Sequence, residues 1–174
     1  MKIFKPTLIL DNTYDIKMSY ILDNKYKLII FDMNNTITDY YTNTISDEIE
    51  NLIKNLKESN IKIYIITNSF NKKQVQEISN ILNLKYIYKA FKPLPFAVKK
   101  VLKKENIKRN KVIIVGDHIF TDILTANLCN IDSILVNPLN KEEKFHSKLT
   151  RKIENLIIRK FKWKIASLRK IMVL

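Results

Sequence analysis

Three apolar runs, Lys27–Phe31, Ile61–Ile66 and Val112–Val115, predict an α/β fold built on a parallel sheet. Two observations support this class. The runs are continuous rather than alternating, as expected of strands buried on both faces. Between them lie amphipathic helical patterns, which would cover those faces to give three layers. At 174 residues the chain is long enough for one well-filled core, so one domain is expected.

The elements follow in order. Lys27–Phe31 reads as a strand ending in Asp32. Asp47–Glu58 carries Ile49, Leu52, Ile53 and Leu56 at helical spacing, with Ser46 as N-cap and acids in the first turn. Ile61–Ile66 is a β-branched strand running into Thr67, Asn68 and Ser69. Asn71–Leu82 turns Val75, Ile78 and Leu82 inward, and Asn71 with Gln74 resembles a capping box. Tyr86–Tyr88 is a weak strand, and Pro95–Glu105 a helix with Pro at its start. Val112–Val115 ends in Gly116-Asp117, Thr121–Asn130 is a short helix, and Ser133–Val136 closes the series as a strand. There is no internal repeat and no Gly/Ser-rich linker.

The chain is strongly basic, with 31 Lys and Arg against 17 Asp and Glu. That balance suits anionic partners: nucleic acid, anionic lipid or phosphorylated substrates. Drift toward Lys, Ile and Asn in an AT-rich genome explains part of it equally well. Cys129 is the single cysteine, which excludes an internal disulfide and reads as a small buried hydrophobe in a reducing compartment. Pro6 and Asp11 interrupt the N-terminal apolar residues, and no secretory signal or membrane span is recognisable. A cytoplasmic protein is expected, unless a surface helix holds it at a membrane.

Three strands end in polar residues: Asp32-Met33-Asn34, Thr67-Asn68 and Asp117. In a parallel sheet, ligands bind beyond the carboxyl ends of the strands, where strand order reverses. Asp32 at such an end is a candidate nucleophile for phosphorus, since carboxylates form aspartyl-phosphate intermediates. Taken singly, it would read as a turn-capping Asp. Asp117 follows the only glycine, which suggests a sharp turn or a close approach there. With Asp32 it makes a paired-carboxylate site for Mg²⁺. Asp122 either orients that site from behind or caps the next helix. The Thr67 hydroxyl can hold a phosphate oxygen, and Lys92 can neutralise phosphoryl charge. Lys92 is one of many lysines, but Pro93 and Pro95 fix its approach to a helix start.

In order, Asp32-x-Asn34-x-Thr36, Thr67-Asn68, Lys92-Pro93 and Gly116-Asp117-x-x-x-Thr121-Asp122 resemble the four motifs of the haloacid dehalogenase (HAD) superfamily. More narrowly, Val115 to Asn127, Ala90 to Pro95 and Thr150 to Glu154 are similar to its YqeG-type, class IIIA phosphatase branch, which is similar in turn to phosphatidylglycerophosphate phosphatases. The resemblance spans roughly residues 25–161. It implies a HAD-like (Rossmannoid) sheet and a Mg²⁺-dependent phosphatase. Asp32 would attack phosphorus. Asp32, the Asn34 backbone carbonyl and Asp117 would hold Mg²⁺. Thr67, Asn68 and Lys92 would bind the phosphoryl oxygens, and Asp122 would support the metal from the second shell. Spacing adds that no cap domain fits: 38–60 holds a loop and one helix, and 70–91 one helix and a short strand. The open site suits a macromolecular or membrane-embedded phosphoester, with phosphatidylglycerophosphate the leading candidate by family analogy.

Asn34 departs from the family pattern, which has there a second aspartate acting as general acid and base. An amide can do neither, a loss on the order of 10²–10⁴ in rate. Three readings stand: slow turnover or a good leaving group, a proton from elsewhere such as His118, or retained binding without turnover. His118 reads first as an exposed loop imidazole, and His146 offers nothing specific. The non-enzymatic alternative is a catalytically impaired protein binding RNA, a ribosomal particle or anionic lipid.

From Arg151 onward there are eight Lys/Arg and one acid, Glu154. Ile153, Ile157, Phe161, Ile165, Leu168 and Met172 form a helical stripe. Residues 151–159 read as a helix packed on a domain spanning 1–160. Residues 161–174, with Trp163, read as a basic amphipathic helix for an anionic membrane, or less readily for RNA phosphates.

Overall fold

Strands and helices alternate along the chain as β1 (Leu8–Leu10), α1 (Met18–Asp23), β2 (Leu28–Phe31), α2 (Asp47–Glu58), β3 (Lys62–Ile66), α3 (Lys72–Ile81), β4 (Lys85–Ile87), α4 (Phe96–Glu105), β5 (Val112–Gly116), α5 (Leu124–Leu128) and β6 (Asp132–Val136). A computed structural model describes residues 2–39, 42–140, 153, 154 and 156. All six strands are parallel, in the order β1-β6-β5-β2-β3-β4.

The continuous apolar runs are explained by two cores, one on each face. Ile29 and Phe31 of β2 pack with Ile63, Ile65, Ile113, Val115 and the inward residues of α2 and α3. Leu28 and Ile30 point the other way, onto Val112, Ile114, Tyr64, Ile66 and the buried faces of α4 and α5. Successive strand residues thus both need apolar surroundings, and alternation disappears. The predicted helices α2, α3 and α4 lie where their periodicity put them. Asn71 accepts from the Gln74 N–H at 3.2 Å, one half of the capping box, whereas Ser46 takes the N-cap position of α2 without a side-chain cap bond. Cys129 is buried, as expected.

With one glycine available, asparagine takes over the left-handed positions. Asn60, Asn83, Asn106 and Asn130 follow α2, α3, α4 and α5 with φ between 47° and 58°. Short polar side chains tolerate that region best after glycine, so each helix stops without one.

The sequence reading needs four corrections. β1 and α1 are absent from it, because a three-residue edge strand and a six-residue helix are too short to show a period. The weak strand is Lys85–Ile87, one residue earlier than its aromatic residues suggest. The segment read as a helix from Thr121 begins as a π-helical turn, Ile119–Ile123, before α5. Ile153 is exposed and its neighbour Glu154 buried, the reverse of the expected stripe, because the carboxylate is satisfied in the interior. The remaining stripe positions, Ile157, Phe161, Ile165, Leu168 and Met172, and the 161–174 helix lie outside the described residues, as does His146. No described helix is long and apolar enough to cross a membrane. Between β2 and β3, and between β3 and β4, the described residues form only α2, α3 and loops, so no cap domain is evident.

At the opposite side of the sheet from the motif residues, Glu105 accepts from Lys62 at 2.6 Å, Lys85 at 2.9 Å and the Tyr64 hydroxyl. These three partners hold its carboxyl at about 2, against an ordinary 4.5. A depressed carboxyl stabilises the fold above the unfolded value and loses that contribution as pH falls from about 4.5 to about 2. Glu105→Gln is expected to cost about 1 kcal/mol at pH 7, both lysines being exposed, and close to nothing near pH 2. Urea denaturation at the two pH values checks this.

Candidate active site

Strand pairing brings the motif residues to one edge. β2 lies between β5 and β3, with Phe31 opposite both Val115 and Ile65. Asp32 and Asp117 therefore leave adjacent strand ends, and Thr67 leaves the next one. The chain goes from β2 outward to β3 and β4, then crosses back to β5, so the order reverses between β2 and β5. That is the switch point at which parallel sheets bind ligands.

The loop after β2 is held tightly. Met33 is fully buried and its carbonyl accepts from the Thr36, Ile37 and Thr38 N–H groups at 3.3, 3.0 and 3.2 Å. Asn35 takes the left-handed conformation, φ 59°, and donates its N–H to the Thr38 carbonyl at 2.8 Å. The Thr36 hydroxyl donates to Asp117 Oδ1 at 3.3 Å. Asn34 Oδ1 and Asn35 Oδ1 are buried without a hydrogen-bond partner. Orphaned buried acceptors of this kind call for a donor or a cation.

Lys92 sits at the centre. Its Nζ is 2.6 Å from Asp32 Oδ1 and 2.7 Å from Asp122 Oδ1, with the side chain almost wholly buried. The Asn68 amide clamps its backbone from both sides, accepting from the Lys92 N–H at 2.7 Å and donating to its carbonyl at 2.9 Å. The Asn68 side chain is thus engaged with Lys92. Burial opposes the lysine's charge, but Asp122 and Asp32 outweigh it and raise its pKa above the usual value. Asp32 is pushed up to about 6, by burial against the pull of Lys92 and by the nearby Asp122 and Asp117 carboxylates.

Asp122 is fully buried, with Oδ2 accepting the His118 N–H at 3.0 Å. It lies on the π-helical turn, a widened turn that re-aims its carboxylate; such turns recur at functional sites. Gly116 explains itself here. Its φ is not positive, so it does not serve a sharp turn. A Cβ on it would overlap the Asp122 carboxylate and lie 2.5 Å from the Asp122 Cβ. Gly116→Ala is therefore expected to displace Asp122 from Lys92, lowering stability by about 1–3 kcal/mol and turnover at least about tenfold. Thermal melting and turnover of the purified variant check both.

His118 is half-buried rather than a free loop imidazole. Its Nδ1 is 3.3 Å from Glu154 Oε2 and its Nε2 3.8 Å from Asp117 Oδ2. Glu154 also accepts the Phe120 N–H at 3.1 Å. A buried Glu inside a basic segment carries no signal in a single sequence.

Together Asp32, Asn34, Asn35, Thr67, Asn68, Ser69, Lys92, Asp117, His118 and Thr121 line an open pocket of about 220 Å³. Of the residues singled out from the sequence motifs, Asp32, Asn34, Thr67, Asn68, Lys92, Asp117 and Thr121 line it, and Thr36 and Asp122 lie behind it, bonded to Asp117 and Lys92; Thr150, Arg151 and Lys152 lie outside the described residues. One oxygen from each of Asp32, Asp117 and Asp122 lies within 4.8 Å of the others. Three carboxylates and two orphaned amide oxygens against one ammonium are a hard-oxygen set suited to a divalent cation.

The model for haloacid dehalogenase-like hydrolases matches residues 40–130, which take in Thr67, Lys92, Asp117 and Asp122 and begin after the Asp32–Thr36 loop. The chain belongs to the haloacid dehalogenase-like hydrolases. It is 28% identical over 163 residues to a Bacillus subtilis (strain 168) protein named "Probable phosphatase YqeG", covering 94% of each chain. The fold is shared with 3-deoxy-D-manno-octulosonate 8-phosphate phosphatase from Moraxella catarrhalis, solved with magnesium, phosphate and its sugar acid (TM-score 0.51, 16% identity, 82% of this chain and 92% of that one). The cobalt-bound deoxy-D-mannose-octulosonate 8-phosphate phosphatase of Haemophilus influenzae is also similar (TM-score 0.52, 13% identity, 78% and 89%). For this HAD hydrolase the likeness to those two structures concerns the fold alone.

Proposed function

We propose that this HAD hydrolase is a magnesium-dependent phosphatase that cleaves a phosphomonoester through an aspartyl-phosphate on Asp32. The observation that carries this is the meeting of Asp32, Asp117, Asp122 and Lys92 in one small pocket at the switch point. Asp32, the Asn34 main-chain carbonyl and Asp117 would hold the cation, which when bound neutralises charge on the phosphoryl group and on the carboxylates. A carboxylate oxygen of Asp32 forms a bond to phosphorus as the ester P–O bond breaks, and the alkoxide leaves in line and takes its proton from solvent. Water then attacks phosphorus, gives up a proton to solvent and breaks the Asp32–phosphorus bond, which releases inorganic phosphate and restores the carboxylate. Lys92 and the Thr67 hydroxyl offset charge on the phosphoryl oxygens, in positions set before the reaction. Asn68 and Asp122 position Lys92, from its backbone and its ammonium respectively.

The pocket is open, and among the described residues no cap encloses the alcohol. This favours an ester whose alcohol stays outside, and phosphatidylglycerophosphate is the leading candidate through the resemblance to its phosphatases. Faster Mg²⁺-dependent phosphate release from phosphatidylglycerophosphate in mixed micelles than from glycerol 3-phosphate supports that substrate. Equal or slower release overturns it.

Asn34 favours a second reading. Its buried Oδ1 lacks a partner, and its amide cannot transfer a proton. A protein that binds phosphate and magnesium without turnover, docked on RNA, a ribosomal particle or lipid, would keep the same pocket. It would release no phosphate from any ester.

A further inference from the structure

Two loops that line the pocket also carry a cluster of outward-facing apolar side chains. Phe70 follows the pocket residue Ser69, and Phe91 precedes Lys92. Their rings meet edge to face at 6.0 Å. The Leu94 N–H closes a turn onto the Phe91 carbonyl at 2.9 Å, and Phe96 begins α4 two residues later. Phe70, Phe91, Leu94 and Phe96 are 67, 57, 50 and 69% exposed. A soluble surface rarely collects such residues at one place without a partner.

Phe91 is also held in the left-handed region, φ 55°. That conformation is costly for a bulky residue and survives only where the surroundings impose it, most often at functional sites. Here it leaves the ring outside while the next residue turns into the site.

The two loops carry charge of one sign: residues 68–76 and 88–96 contain Lys72, Lys73, Lys89 and Lys92 and no acid. Lys92 is buried in the site; Lys89 lies over the Phe70 ring at 5.3 Å, with its ammonium at the edge of the patch. Aromatic and leucine side chains inside a lysine collar match the two layers of an anionic bilayer surface, apolar chains below and negative headgroups above. An RNA partner would account for the lysines and could stack bases on the three phenylalanines, but it leaves the exposed Leu94 without a role.

We infer that Phe70, Phe91, Leu94 and Phe96 form a wedge that inserts into an anionic membrane, with Lys72, Lys73 and Lys89 on the headgroups, so that the pocket opens at the lipid surface. The wedge deepens the phosphatase reading and rests on it only for what the pocket does once docked.

The test uses the full chain and vesicles of phosphatidylglycerol in phosphatidylcholine, against phosphatidylcholine alone. Wild type is expected to co-sediment with the anionic vesicles. Phe91→Ser/Phe96→Ser should bind at least about tenfold more weakly, since each ring loses most of its apolar transfer. Its hydrolysis of a water-soluble aryl phosphate should not change, which also shows that it is folded. In Trp163→Phe/Phe91→Trp, brominated acyl chains should quench the new indole. Undiminished binding of the double variant, absence of quenching, or wild type binding an RNA oligomer but not the vesicles would each overturn the wedge. Failure to hydrolyse the aryl phosphate with the vesicle results intact would refute the phosphatase reading and leave the wedge standing.

Discussion

Replacing Asn34 with aspartate is expected to raise Mg²⁺-dependent hydrolysis of an alkyl phosphomonoester by on the order of 10²–10⁴. On the proposed mechanism the rest of the site is already in place. Met33 anchors the loop in the core, Thr36 is bonded to Asp117, and Lys92 is already between Asp32 and Asp122. An aspartate is isosteric with the asparagine, so loop geometry is retained. What it adds is a proton to give to the leaving alkoxide and a base for the attacking water. For an aryl phosphate, whose leaving group needs no proton, the gain should fall on the dephosphorylation step alone, with the phosphorylation step unchanged. Steady-state rates on the alkyl ester and the phosphorylation burst on the aryl ester check both halves. Equal rates for Asn34→Asp and wild type on the alkyl ester would mean that another group, such as the pocket-lining His118, supplies the proton.

Asp32→Asn is expected to remove turnover by at least about 10³-fold with every ester, because the attacking carboxylate is gone. Fold stability should change little in the same variant. Asp32 lies in a dense field of like charge, with Asp117 and Asp122 beside it and Lys92 shared, and its own carboxyl is pushed up to about 6. Removing one carboxylate relieves that repulsion as well as breaking an ion pair. Calorimetry and turnover on one preparation separate the two effects. Activity that survives this substitution would refute the nucleophile assignment.

The parts of the fold legible in the sequence were those with dense local signal. β2, β3 and β5 are continuous apolar runs because helices cover both faces, and α2, α3 and α4 repeat apolar residues at helical spacing. The site was legible because these strands end in Asp32, Thr67 and Asp117, and parallel pairing makes their ends neighbours. Lys92 stood out among 31 basic residues only through Pro93 and Pro95. What was not legible depends on contacts between distant segments. Glu154 reaches His118 and Phe120 across more than thirty residues. Gly116 is explained by the carboxylate of Asp122 folded against it, not by its own backbone. The Asn68 clamp needs the Lys92 loop to return beside β3. β1 and α1 fall below the length at which a period can be seen.

The nucleophile and the missing base can be read in one measurement. With an aryl phosphate the leaving step needs no acid, so Asp32 should be phosphorylated, whereas water lacks a base at Asn34 to remove the phosphoryl group. Acid-quenched wild-type protein, incubated with aryl phosphate and Mg²⁺ and digested for mass spectrometry, should carry close to one phosphoryl group per chain on the Asp32 peptide. The Asn34→Asp variant should carry much less while releasing more phosphate, and Asp32→Asn none. A phosphoryl group on any other residue, or none on the wild-type Asp32 peptide while phosphate is released, would contradict the mechanism.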